Sequence, residues 1–182
     1  RLAPAVSSAA MKIGPLPKDL DLRGLASRGV TIQGTASIEA LPRLCEAGIG
    51  LEQLVVGEFR FSRDEEARYL VETSVKASLT LVCQRCLEKM VLPLTTGSRL
   101  ACVWSDSEAE TLPSGLEPLL VEELADLNEI AEEEILLAVP VSPTHHEDCI
   151  NERRSYAPDE EPLLGAEPDK ESPFSVLEKL RT

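Results

Sequence analysis

Tyr69-Leu70-Val71-Glu72-Thr73-Ser74-Val75-Lys76-Ala77-Ser78-Leu79-Thr80-Leu81-Val82 is the stretch on which the fold turns. Val71, Thr73, Val75, Ala77, Leu79 and Leu81 fall on one side of an extended chain, and Glu72, Ser74, Lys76, Ser78 and Thr80 fall on the other. Side chains alternate with a period of two along a strand, whereas a helix needs its apolar residues three and four apart. One long antiparallel strand is therefore expected here, with one face buried and one wet. Leu54 to Phe61 repeats the pattern upstream, with Val55, Gly57, Phe59 and Phe61 alternating with Val56, Glu58 and Arg60, and Asp64, Glu65 and Glu66 mark the intervening turn. Further strands are expected over Met90 to Thr95, Ser98 to Trp104 and, after an acidic loop holding Pro113 and Gly115, Leu119 to Val121.

Helical signals flank these strands. Asp19 is expected to cap a short helix that runs through Arg28 and stops at Gly29, ahead of a strand over Val30 to Ser37. Ile38 to Glu46 reads as a short helix interrupted by Pro42 and closed by Gly48. Asp126 begins a longer helix, with Glu129 at capping-box spacing, a buried stripe of Leu127, Ile130, Ala131, Ile135 and Ala138, and Pro140 as its end. The Glu132, Glu133, Glu134 run on its other face reads as solvated, because adjacent carboxylates on an exposed helix are ordinary. The fold class expected is α+β: an antiparallel curved sheet or partly closed β-barrel with flanking helices, one C-terminal amphipathic helix and a disordered acidic tail. Residues 1–10 are read as a non-native or disordered leader and 11–150 as the domain. Residues 151–171, dense in Pro, Glu and Asp, read as a disordered acidic linker, and 172–182 as a short anchor whose Phe174, Leu177 and Leu180 share one side.

Composition narrows the function. At 182 residues and 43% hydrophobic, the chain can bury a core without disulfide staples. No apolar run approaches the roughly 18–20 residues a membrane helix needs, and no secretory signal is recognisable, so a cytoplasmic protein away from membranes is expected. The formal charge of −14 is localised: 14 acidic and no basic residues lie between Leu100 and Glu152. Such a balance argues against a protein that grips nucleic acid over its whole surface, because that binding rests on Lys and Arg. It leaves a mildly basic strand region, in which Arg60, Arg63, Arg68, Lys76, Arg85, Lys89 and Arg99 outnumber their acidic neighbours.

The chemistry lies in the cysteines. There are five, Cys45, Cys83, Cys86, Cys102 and Cys149, and an odd number argues against a disulfide framework. Cys83-Gln84-Arg85-Cys86 falls between two expected strands, where a tight turn can aim both sulfurs at one face of a tetrahedral zinc. A second pair is available in His145-His146-Glu147-Asp148-Cys149, which supplies His145 or His146 together with Cys149. A Cys₃His set of this kind closes a structural site with no open position for water. A redox dithiol is the rival reading, weakened because no helix is expected after Cys86 to lower a thiol pKa. Inert hairpin thiols are the third reading, and Cys45 and Cys102 read as small core residues. Gly-rich phosphate loops, Gly-x-Ser-x-Gly elbows and His-Glu-x-x-His helices do not occur, so no enzyme is expected.

Three features in one order resemble the YceD family, the large ribosomal RNA subunit accumulation proteins. They are Leu81-Val82-Cys83-Gln84-Arg85-Cys86-Leu87; Ile135 to Val141 followed by Pro143, His145 and Cys149; and Ser172-Pro173-Phe174-Ser175-Val176-Leu177. The resemblance extends from Met11 to the C-terminus. It implies that Cys83 and Cys86 match the family's first Cys pair, and that His145 and Cys149 fall on a second pair in which one Cys has become His. The metal ligands expected are thus Cys83, Cys86, His145 and Cys149, holding one structural zinc, with His146 as an alternative. The function implied is a non-catalytic ribosome-biogenesis factor supporting synthesis, processing or stability of large-subunit (23S) rRNA. Its expected partners are that rRNA, through the basic strand region, or large-subunit ribosomal proteins, through the acidic region. An adaptor acting through its C-terminal arm and a Cys-x-x-Cys redox enzyme are the alternatives.

Overall fold

The computed structural model describes residues 13–149. Along the chain these form α1 (Leu22–Arg28), β1 (Thr31–Ala36), a 3₁₀ turn (Ile38–Ala40), α2 (Pro42–Glu46), β2 (Gly50–Leu51), β3 (Val55–Arg63), β4 (Tyr69–Val82), β5 (Lys89–Thr96), β6 (Arg99–Val103), α3 (Asp106–Ala109), β7 (Glu117–Leu120) and α4 (Leu127–Ala138). The expected leader (1–10), acidic linker (151–171) and terminal anchor (172–182) lie outside the described residues.

The 14-residue β4 organises the sheet and has the bounds that its alternation indicates. It is too long for one neighbour on either edge. On one side β3 pairs with Tyr69 to Lys76 and β2 with Leu79 and Thr80; on the other, β6 pairs with Leu70 to Glu72 and β5 with Val75 to Val82. The break between β5 and β6 is a bulge at Gly97 and Ser98. There the Thr73 N–H donates to the Ser98 carbonyl at 3.0 Å, and the Ser98 N–H donates to Thr73 Oγ1 at 2.8 Å. A Cβ at position 97 would lie 2.4 Å from the Thr73 carbonyl oxygen, so the bulge requires glycine.

β1 pairs outside β3 and β7 outside β6, completing a seven-stranded sheet. Two expectations are corrected here. The sheet is open, its outer strands β1 and β7 lying at opposite ends of the order β1-β3-β4-β6-β7, so it is no barrel. Nor is it wholly antiparallel, since β7 runs parallel to β6. The connection through α3 is long enough to carry the chain back to the same end of the sheet, as a parallel pairing requires.

Val71, Val75 and Leu79 of β4 and Phe59 and Phe61 of β3 form a buried floor, joined in one core by Leu22 of α1, Leu44 of α2 and Leu127 and Ile135 of α4. α1 starts after Asp21 rather than at Asp19, because Asp19 has a left-handed φ of 55° and Leu20 is held out of the helix by backbone hydrogen bonds exchanged with Ala125 at 2.9 and 3.0 Å. Gly29 ends it in the left-handed conformation, as expected. Pro42 does not interrupt a helix but begins α2 at its first position, where its missing N–H costs nothing.

α4 departs from its expected reading at two points. Asp126 caps it by accepting from the Asn128 N–H at 2.8 Å, rather than in the reciprocal arrangement expected with Glu129. Its glutamates are not all solvated: Glu132 is 2% exposed and Glu134 7%. The Leu44 N–H donates to Glu132 Oε1 at 3.0 Å, and Ser98 Oγ donates to Glu134 at the bulge. These partners explain the burial, since a carboxylate leaves water only when its oxygens are satisfied. Glu133 alone of the three is exposed, and it pairs with Arg43.

Candidate metal centre

β4 delivers Cys83 and β5 begins beyond Cys86, so the first pair of thiols sits on the turn of the β4–β5 hairpin. The Cys83 N–H donates to the Glu88 carbonyl and the Leu87 N–H to the Cys83 carbonyl, both at 2.9 Å, closing the turn. Leu87 completes it with a positive φ of 61°, in a region that favours glycine. α4 ends at Ala138 before Pro140, and the following segment is tied to the turn where the Gln84 N–H donates to the Pro143 carbonyl at 2.8 Å. Arg85 adds a second tie, donating to the Glu147 carbonyl at 3.3 Å and pairing with Asp148 at 3.6 Å.

These ties bring Cys83, Cys86, His145 and Cys149 together, their ligand atoms all within 4.8 Å of one another. Cys83 Sγ lies 3.7 Å from Cys149 Sγ, and Cys86 Sγ lies 3.5 Å from His145 Nδ1. A tetrahedral zinc with its usual bond lengths separates two sulfurs by about 3.8 Å, and a sulfur and a nitrogen by about 3.6 Å. The donor set and its spacing therefore fit a metal ion such as zinc. Cys83 and Cys86 are buried, His145 and Cys149 half-buried, and His146 is exposed and outside the cluster.

The electrostatics of the thiols differ. Burial pushes the Cys83 thiol up, but backbone N–H groups of Cys86, His145 and Arg85 more than offset it and bring the pKa down to about 5. The Arg85 N–H is 3.4 Å from Cys83 Sγ. Cys149 is raised to about 11, by burial and then by its neighbours Cys83 and Cys86. A bound cation would supply the charge that lets the Cys149 thiolate form beside Cys83.

The other two cysteines lie apart from this cluster. Cys102 is buried in the core as expected, and burial pushes its thiol up to about 12. Cys45 is exposed, against expectation, because the five-residue α2 buries only Leu44. Sequence reading did not single out Arg85 as the residue that fixes the His145–Cys149 segment; its position between the two thiols was the available signal.

Most cations of the expected basic strand region are ion-paired, while Lys76 is exposed and forms no ion pair among the described residues. Arg60 is paired with Glu58 and Glu72, Arg99 with Glu72, Lys89 with Glu52, and Arg68 with Asp64 and Glu66. Arg63 lies over the Tyr69 ring, 5.3 Å from its centre. Among the described residues no helix is long and apolar enough to cross a membrane.

Comparison with known proteins bears on the same segments. The family model described as "Large ribosomal RNA subunit accumulation protein YceD" matches residues 71–181, more than half of the chain, and includes all four clustered ligands. The large ribosomal RNA subunit accumulation protein YceD of Haemophilus influenzae is 27% identical over 173 residues, covering 91% of this chain and 96% of that protein. No solved structure matches the chain. On the extent of the family match, the chain belongs to the YceD family, which is named for large ribosomal RNA subunit accumulation.

Proposed function

We propose that the protein is a non-catalytic ribosome-biogenesis factor that supports the synthesis, processing or stability of large-subunit rRNA. The observation that carries this reading is the similarity to the Haemophilus influenzae relative along nearly the whole of both chains. On this reading Cys83, Cys86, His145 and Cys149 hold one structural zinc. Four protein ligands leave no position for water or substrate, so the ion ties the segment after α4 to the β4–β5 turn and catalyses nothing. Cytoplasmic location and large-subunit rRNA or ribosomal proteins as partners belong to the same reading. Deleting the gene is expected to lower mature large-subunit rRNA relative to small-subunit rRNA and to deplete free large subunits in sucrose gradients. Unchanged rRNA and subunit profiles would overturn the assembly role.

A further inference from the structure

A groove of about 490 Å³ runs between β7 and α4. Its lining includes the half-buried Leu119 and the buried Val121 and Ile130, together with Leu120 and Leu124, which are 58% and 54% exposed. Single exposed leucines are ordinary on a protein surface, but these two line the same groove and give its mixed polar and apolar wall an apolar patch. Along the patch stand Glu122, Asp126, Glu129 and Glu133. Asp126 is paired with Lys18 and Glu133 with Arg43, the one cation in the lining, while Glu122 and Glu129 form no ion pair among the described residues. β7 is the last strand of the sheet's order, and Pro118 removes an N–H from it, which discourages recognition by an added strand. The groove is therefore suited to reading side chains.

We propose that this groove docks a Lys- and Arg-rich amphipathic segment of a partner protein, its apolar anchors entering between Leu120 and Leu124 and its cations facing Glu122 and Glu129. Charge complementarity selects the occupant. The groove belongs to the stretch between Leu100 and Glu152 that has 14 acidic and no basic residues, so an RNA backbone or a second copy of the same surface meets like charge there. An amphipathic basic segment supplies both parts of the match, anchors for the leucines and cations for the rim. The inference rests on the assembly reading only for the partner's source: ribosomal proteins carry basic segments because they neutralise rRNA phosphates.

The test uses the full chain and a labelled helical peptide of roughly four turns, with Leu at i, i+3, i+4 and i+7 and Lys elsewhere, followed by fluorescence anisotropy. A shuffled peptide of the same composition and one with Glu for Lys are the controls. The Lys–Leu peptide is expected to bind more tightly than both, and more weakly as salt rises. Glu122→Lys/Glu129→Lys and Leu120→Ser/Leu124→Ser are each expected to weaken it about tenfold. All four positions are exposed, so the fold survives, which circular dichroism verifies. Equal affinity in either double variant overturns the proposal, as does single-stranded RNA of similar length that binds the wild type and is lost from the leucine variant. Groove-dependent peptide binding together with normal rRNA in the deletion strain upholds the groove and removes only the assembly role.

Discussion

Two polar clusters meet the core of this protein, the cysteines at the β4–β5 turn and the glutamates of α4, and they behave in opposite ways. The cysteine cluster is visible as a cluster in the sequence: two thiols lie two residues apart, and the chain's only histidines stand beside another. The Glu132-Glu133-Glu134 run looks like one solvated surface and is not one. Two of its members are buried, each held by a group far away in sequence, the Leu44 N–H and Ser98 Oγ. Metal-ligand chemistry declares itself through residue type and spacing, whereas the fate of a carboxylate depends on which unsatisfied donor the fold brings near it.

The largest expected effect breaks the cysteine half of the comparison. Purified wild-type protein should contain one zinc per chain by elemental analysis, and Cys83→Ser should contain none and lose about 3 kcal/mol of stability in urea unfolding. Retained zinc in that variant would remove Cys83 from the site. The same cluster predicts an acid limb. A thiol whose pKa is lowered to about 5 keeps its thiolate above that pH and loses it below, so the ultraviolet thiolate absorbance of the metal-free protein should lose a component as pH falls through about 5, and Cys83→Ser should lack that component.

The glutamates are expected to give smaller effects that separate by burial. Glu132→Ala strips the acceptor from a buried N–H and should cost about 1–3 kcal/mol, while Glu132→Gln keeps an oxygen there and should cost less. Thermal unfolding of the two side by side checks this, and equal losses would show that the hydrogen bond is not the cause. Glu134→Ala and Ser98→Ala should be non-additive in a double-mutant cycle, with a coupling of about 1 kcal/mol, because the two groups share one bond at the bulge. Glu133→Ala should fall within about 0.5 kcal/mol of wild type, since its pair with Arg43 is half exposed to solvent. A large loss at Glu133 would erase the distinction between buried and surface carboxylates.

Much of the sheet was legible from periodicity. Each of the expected strands appears within a few residues of its expected bounds, and β3 and β4 do so because a half-buried strand alternates apolar and polar residues to place one face on the core. β2 escaped notice because two residues show no period. Pro42 was read as a breaker when it is a starter, since proline is disfavoured inside a helix and favoured at its first position, and only the position of the chain's turn decides which applies. The four metal-ligand candidates were all named from the sequence, where residue type and spacing left His145 and His146 open and the family resemblance favoured His145. The backbone tie between Gln84 and Pro143 brings His145 inward and leaves His146 exposed.

The strand alternation, the Cys-x-x-Cys turn, the amphipathic helix before Pro140 and the concentration of acid after Leu100 can be read along the chain alone, because each is a local pattern or a sum. Only the folded chain settles that the sheet is open, that β7 runs parallel to β6, that two glutamates enter the core and that an acid-rimmed groove with two exposed leucines lies between β7 and α4. These depend on pairing between residues distant in sequence. A strand's alternation says which face is buried, but not which neighbour lies along either edge.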